Sequence, residues 1–186
     1  YRLRVTVKGK GKVKEERKTL FLLTDKPVIY LANSHENEFE ESKKIVKEAA
    51  GENATVIPMD VKTEAELAVM DDDERKEFMV ELGIEKSGLD ILTWEAYSTL
   101  GLISYFTSGP KESRAWTIKR EENAQQAAGA IHTDIMNNFI AADIVSWADF
   151  VECGGWVKAK EKGKVRLEGK TYIMNDGDVV LFKHNG

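Results

Sequence analysis

Two groups of polar residues in this 186-residue chain have the types and spacing for ligand chemistry. The first is Asn33-Ser34-His35-Glu36, directly behind the apolar run PVIYLAN at 27–33. Ligands in open α/β sheets collect beyond the carboxyl ends of the strands, so an amide and a carboxylate three residues apart there can address a small polar ligand. Taken alone, Asn33 also reads as a strand-ending turn and Glu36 as an acid opening a helix. His35 is expected to face solvent. The second group is basic: Arg114, Lys119 and Arg120 surround Trp116, and Lys158, Lys160, Lys162, Lys164, Arg166 and Lys170 form a run. Cations beside an aromatic platform suit an RNA backbone and an unpaired base. The competing reading is a solvated face with Trp116 in the core.

Other clusters carry no chemistry in this reading. Asp71-Asp72-Asp73-Glu74 places acids at a helix N-terminus, where the macrodipole favours them. Asp72 is expected to cap a helix over 74–82 that Gly83 ends. His132-Thr133-Asp134 has no nucleophile nearby, and Thr133 or Asp134 reads as a cap. Cys153 has no partner cysteine. No catalytic residue and no metal ligand is assigned.

The elements that must position these groups alternate in type. Residues 27–33 and 55–60 are apolar runs that suit strands buried on both faces of a parallel sheet. A helical stretch at 38–50 lies between them, which makes a βαβ unit. Pro58 points to an edge or strand-end position. Thr63 and Ser87 each precede an acid by three residues, the capping pattern. The second is expected to open a helix burying Leu89, Leu92, Ala96 and Leu100. Strands follow at 102–106 and 114–119, joined through Ser108-Gly109-Pro110, then an Ala-rich helix. Further strands are read at 140–146, 170–174 and 179–183, the last two joined as a hairpin at Asn175-Asp176-Gly177-Asp178, with Gly177 at positive φ.

Hydrophobic and charged fractions of 42% and 32% describe an ordinary soluble protein, and no apolar run reaches the ~20 residues of a membrane span. A lone cysteine fits a reducing, cytoplasmic compartment. Charge is uneven. Residues 1–18 carry eight Lys/Arg against two acids, residues 19–100 eight against nineteen, and residues 101–186 eleven of each. An acidic middle argues against DNA or broad nucleic-acid binding, which needs clustered cations. The alternation at 1–18 reads as a basic strand or arm.

Several runs resemble the C-terminal part of the YchF (Obg-like) P-loop NTPase family. They are Tyr105-Phe106-Thr107, Gly109-Pro110-Lys111-Glu112, Arg114-Ala115-Trp116-Thr117-Ile118, Gln126-Ala127-Ala128-Gly129 and Ile131-His132-Thr133-Asp134. Arg166-Leu167-Glu168-Gly169-Lys170, Asp176-Gly177-Asp178, Leu23-Thr24 and Lys26-Pro27-Val28 extend the likeness to roughly nine-tenths of the chain. The resemblance implies an α/β fold: a partial P-loop NTPase-type βαβ segment at 19–100 and a TGS (ubiquitin-like, β-grasp) domain at 101–186; the basic arm read at 1–18 lies outside it. It implies that Asn33 and Glu36 form the family's Asn-x-x-Glu base-recognition motif. Lys62 would lie in the second base-side loop, where Asp60-Val61-Lys62 replaces Ser-Ala-Lys and Asp60 adds a charge. No Gly-x-x-x-x-Gly-Lys-Ser/Thr occurs in the chain, so no hydrolysis is expected from it alone. ATP or GTP with Mg²⁺ is expected only where a phosphate-holding half is supplied. The TGS face implies a ribosome or ribosomal RNA partner; no membrane contact is expected, and the chain is expected to be a monomer. Two cations usual in relatives are replaced within Ile135-Met136-Asn137-Asn138-Phe139-Ile140-Ala141, where Met136 and Phe139 read as core.

Overall fold

Alternation of β-branched and aromatic residues with short helical stretches gives the described residues, 26–110 and 112–185 of a computed structural model, their order of elements. The arm read at 1–18, Leu23-Thr24 and Lys111 lie outside them. The chain divides between Thr93 and Trp94 into two units.

In the first unit, β1 (Ile29–Asn33) and β2 (Thr55–Met59) run parallel, with Ile29 opposite Thr55 and Asn33 opposite Met59. A 3-10 turn at Glu36–Glu38 and α1 (Phe39–Ala50) make the crossover. β2 buries Val56, Ile57 and Met59, but β1 buries only Ala32, and Leu31 is half exposed. The expectation of two strands buried on both faces therefore fails for β1. Among the described residues β1 pairs only with β2, so no second strand shields its other side. Pro58, with no N–H to give, stands one residue from the end of β2, opposite Ala32.

Three helices follow: α2 (Val61–Leu67), α3 (Asp72–Leu82) and α4 (Gly88–Leu100). Their caps correct two expectations. Asp60, not Thr63, caps α2, and Asp71, not Asp72, caps α3, accepting from Asp73 N at 3.0 Å and Glu74 N at 2.9 Å. In a run of acids only the residue with extended backbone can turn its carboxylate onto the N2 and N3 amides. Ser87 Oγ accepts from Asp90 N as expected, and Gly83 closes α3 in the left-handed region. Leu89 and Leu100 are exposed rather than buried.

The second unit is built on a mixed sheet of order β4-β3-β7-β5-β6. β3 (Leu102–Ser108) and β4 (Ser113–Lys119) form the hairpin, β5 spans Phe139–Ser146, β6 Arg166–Glu168 and β7 Asp178–His184. β7 runs parallel to β3 and antiparallel to β5. On one face α5 (Ala124–Ile131) lays Ala124, Ala127 and Ala128 against Ile103, Tyr105, Ile118, Ile144 and Val180. Small alanine side chains let the helix approach closely, and Tyr105, fully buried, donates its hydroxyl to Ala127 O at 2.8 Å. α6 (Thr133–Asn137) follows; His132 Nδ1, not Thr133 or Asp134, accepts from its Asp134 N at 3.2 Å. Phe139 is in this core and Met136 is half buried beside Gly129. On the other face α7 (Trp147–Cys153) and α8 (Trp156–Glu161) cover Val145, Val179 and Phe106.

No strand forms at 170–174. That stretch turns at Lys170-Thr171 and makes one bridge, Asn123 with Ile173. Its backbone is engaged by the loop before α5: Ala124 N donates to Tyr172 O and Met174 N to Glu122 O. The turn at Gly177 (φ +82°) therefore leads into β7 and joins no hairpin.

Candidate functional site

Parallel pairing puts the carboxyl ends of β1 and β2 side by side, so the loop carrying Ser34-His35-Glu36 neighbours the start of α2. Three bonds join them. Ser34 N donates to Met59 O at 3.2 Å, and Val61 N donates to Asn33 Oδ1 at 3.3 Å. His35 Nδ1 lies 2.9 Å from Asp60 Oδ2, while Asp60 Oδ1 accepts from Lys62 N at 2.9 Å and Thr63 N at 3.3 Å. Ser34 Oγ donates to Ser42 Oγ at 2.9 Å, which ties the same loop back to α1. The hydrogen bond from His35, then those from the Thr63 and Lys62 amides, hold the Asp60 carboxyl below the usual carboxylate range. The charge that Asp60 brings to this loop is thus spent on a cap and a histidine. His35 is 75% exposed, yet it has a partner that residue-by-residue reading missed.

Beside these loops lies an open cleft of about 700 Å³, with Met59 and Ile84 on its apolar side and His35, Glu36, Asp60 and Glu64 on its polar side. Asn33 and Lys62 are not among its lining residues. Glu64, also unsignalled in the sequence, accepts from Gly88 N at 2.6 Å and Leu89 N at 3.2 Å at the start of α4. The one sequence cue available for His35 and Asp60 was positional: each follows a strand of the same parallel pair.

The basic residues fall into two kinds. Arg114 stacks on Trp116 with its guanidinium carbon 4.3 Å from the ring centre, and Trp116 Nε1 donates to Thr107 Oγ1 at 2.9 Å. Trp116 is half buried against the α5-side core, so its ring is covered on one side by the core and approached on the other by Arg114. Lys119 ends β4 with its side chain on the opposite face, and Arg120 follows; both are exposed. In the later run Lys160 Nζ lies 2.9 Å from Asp143 Oδ2 and Lys164 Nζ 2.9 Å from Asp149 Oδ1. Arg166 donates to the Tyr172 hydroxyl at 3.0 Å and lies within reach of Glu168 and Asp178. Lys158 and Lys162, one turn apart, and Lys170 form no ion pair among the described residues, and all three are exposed. Burial pushes the Asp178 carboxyl up, against hydrogen bonds from Asn175 N and Tyr172 OH. There is no cluster of metal-ligating side chains among the described residues, and no described helix is long and apolar enough to cross a membrane.

A parallel βαβ unit with bonded loops at its carboxyl ends, followed by a mixed sheet between helices, defines a mixed α/β protein. Residues 102–185 match the family model YchF-GTPase_C, described as a protein of unknown function (DUF933). The chain is 48% identical over 174 residues to the ribosome-binding ATPase YchF of Bacillus subtilis, covering 90% of this chain and 48% of that protein. It is 44% identical to the Haemophilus influenzae protein of the same name, covering 96% of this chain and 51% of that one. The solved structure of the Schizosaccharomyces pombe YchF GTPase superposes with a TM-score of 0.78 at 35% identity, over 95% of this chain and 49% of that chain. A GTP binding protein from Pyrococcus horikoshii, 15% identical with a TM-score of 0.57, shares the fold. Residues 102–185 form a C-terminal YchF domain, and most of the chain is similar to YchF proteins. The chain spans about half the length of the curated relatives it matches.

Proposed function

We propose that this chain is the part of a YchF-type nucleotide-binding protein that contacts the base and carries a TGS, β-grasp unit for meeting the ribosome. The observation that carries the first half is the bonding of the Asn33–Glu36 loop to the Asp60–Lys62 loop at the ends of two parallel strands. In this reading Asn33 and Glu36 face the base and Lys62 lays its stem along it. Adenine lacks the N1 proton and 2-amino group that an aspartate reads in guanine, so a glutamate in this place is compatible with ATP as well as GTP. The residues present fit the base side only. With no glycine-rich lysine loop in the sequence, the triphosphate and Mg²⁺ would be held by residues outside this chain, and the chain's own contribution is orientation of the base.

For the second unit, a helix packed on a mixed five-stranded sheet supports the β-grasp assignment, and the names of the relatives support the ribosome as partner. Lys158, Lys162 and Lys170, with Lys119, Arg120 and the Trp116-stacked Arg114, form no ion pairs among the described residues. Calorimetric titration with ATP and with GTP, of this chain and of the chain joined to a phosphate-holding half, tests the first half. Binding is expected for the joined protein and should weaken on Asn33→Ala. A joined protein that binds equally well with Asn33, Glu36 and Lys62 all replaced by alanine would remove the base-side assignment.

A further inference from the structure

His35 and Asp60 do more than decorate the two loops. Asp60 uses both carboxylate oxygens: Oδ1 takes the Lys62 and Thr63 amides, and Oδ2 meets His35 Nδ1. The first pair of bonds fixes the backbone from which the Lys62 side chain leaves. The second fixes the residue immediately before Glu36. Through a contact between residues 25 apart in sequence, one carboxylate therefore ties the backbone beside Glu36 to the backbone that carries Lys62. With Asp60 ionised, Nδ1–H of the imidazole donates, in the neutral Nδ1-protonated tautomer as in the cation.

We propose that His35 and Asp60 are a positioning pair that assembles the base-side loops before a nucleotide arrives; the role of the pair rests on the base-side reading above. The charged groups sharing its cleft are Glu36, Glu64, Glu85 and Lys86. Glu64 is occupied by the Gly88 and Leu89 amides, which leaves it turned toward α4.

The test separates the pair from the nucleotide reading. In this chain, ¹³C-detected carboxyl titration of Asp60 should move toward the ordinary aspartate range on His35→Ala and should move less on His35→Gln, whose amide can still donate. In the protein joined to its phosphate-holding half, His35→Ala should weaken ATP affinity about three- to fivefold, the scale of an exposed ion pair. His35→Gln should recover most of that. Asp60→Asn, which keeps the cap, should weaken binding similarly, and the double variant no further. Absence of nucleotide binding by the joined wild type would strike the base-side reading and leave the Asp60 titration to decide the pair. An Asp60 titration unchanged by His35→Ala, or additive losses in the double variant, would overturn the proposal.

Discussion

Asp143 on β5 lies 2.7 Å from Lys183 Nζ on β7, and its other oxygen lies 2.9 Å from Lys160 Nζ on α8. The carboxylate is nearly enclosed, with its side chain 6% exposed, while the two lysines are about half exposed. Either lysine alone can neutralise it. Lys160→Ala and Lys183→Ala should each cost less than about 1 kcal/mol, as for partly exposed pairs. Together they should cost roughly 3 kcal/mol, because a buried charge is left uncompensated. Urea denaturation of the two singles and the double measures this. A double variant that equals the sum of the singles would show that the lysines do not share the carboxylate.

The same site makes a pH prediction. Burial pushes the Asp143 carboxyl up, but the hydrogen bonds and charges of Lys183 and Lys160 outweigh it and leave it below the usual range. A carboxyl lowered by folding stabilises the native state in full above its unfolded-state value, and that gain fades as pH falls through the folded value. Wild type should therefore exceed Asp143→Asn by about 1 kcal/mol near pH 7. The margin should shrink as pH drops below about 4, the ordinary aspartate range. A margin independent of pH between 7 and 3 would contradict the sign.

Gly177 and Gly154 both hold positive φ, at +82° and +71°, but in different surroundings. A Cβ on Gly154 would meet open space, whereas one on Gly177 would come 2.5 Å from Trp147 Cδ1. Gly154→Ala should cost about 1 kcal/mol, the backbone penalty alone. Gly177→Ala should cost at least about 1 kcal/mol more, since the indole must move as well. Thermal unfolding with tryptophan fluorescence as the second readout compares them; equal costs would mean that Trp147 yields freely.

Charge reversal separates the two kinds of lysine. Lys158→Glu with Lys162→Glu should leave stability within about 0.5 kcal/mol. It should weaken ribosome co-sedimentation and lower its salt dependence by about two in slope. Lys160→Glu with Lys164→Glu should instead destabilise the second unit, since each reverses a charge held by Asp143 or Asp149. Unchanged co-sedimentation in the first variant would remove Lys158 and Lys162 from the contact surface.

Much of the local structure was legible beforehand. The strands read at 102–106, 114–119, 140–146 and 179–183 match β3, β4, β5 and β7 to within a residue or two of each end, and Ser87 capped α4 as its spacing indicated. One miss arose where a long-range bond outweighed a local pattern, another from local backbone geometry. The stretch 170–174 has strand composition, but its backbone is drawn to the loop before α5. Asp71 rather than Asp72 caps α3, because the extended backbone at Asp71 aims its carboxylate at the amides.

Sequence by itself determined the likeness to YchF proteins, the parallel βαβ unit and the places where ligand-type residues leave the strands. Those follow from hydrophobic period and runs of residue identity, both contained within short windows. Only the tertiary structure decided which charges are already engaged: His35 by Asp60, Lys160 and Lys183 by Asp143, Arg166 by Tyr172 and its acids. Those partners come together through strand order and helix placement. A side chain's electrostatic role depends on what stands within a few ångströms of it, which spacing along the chain does not encode.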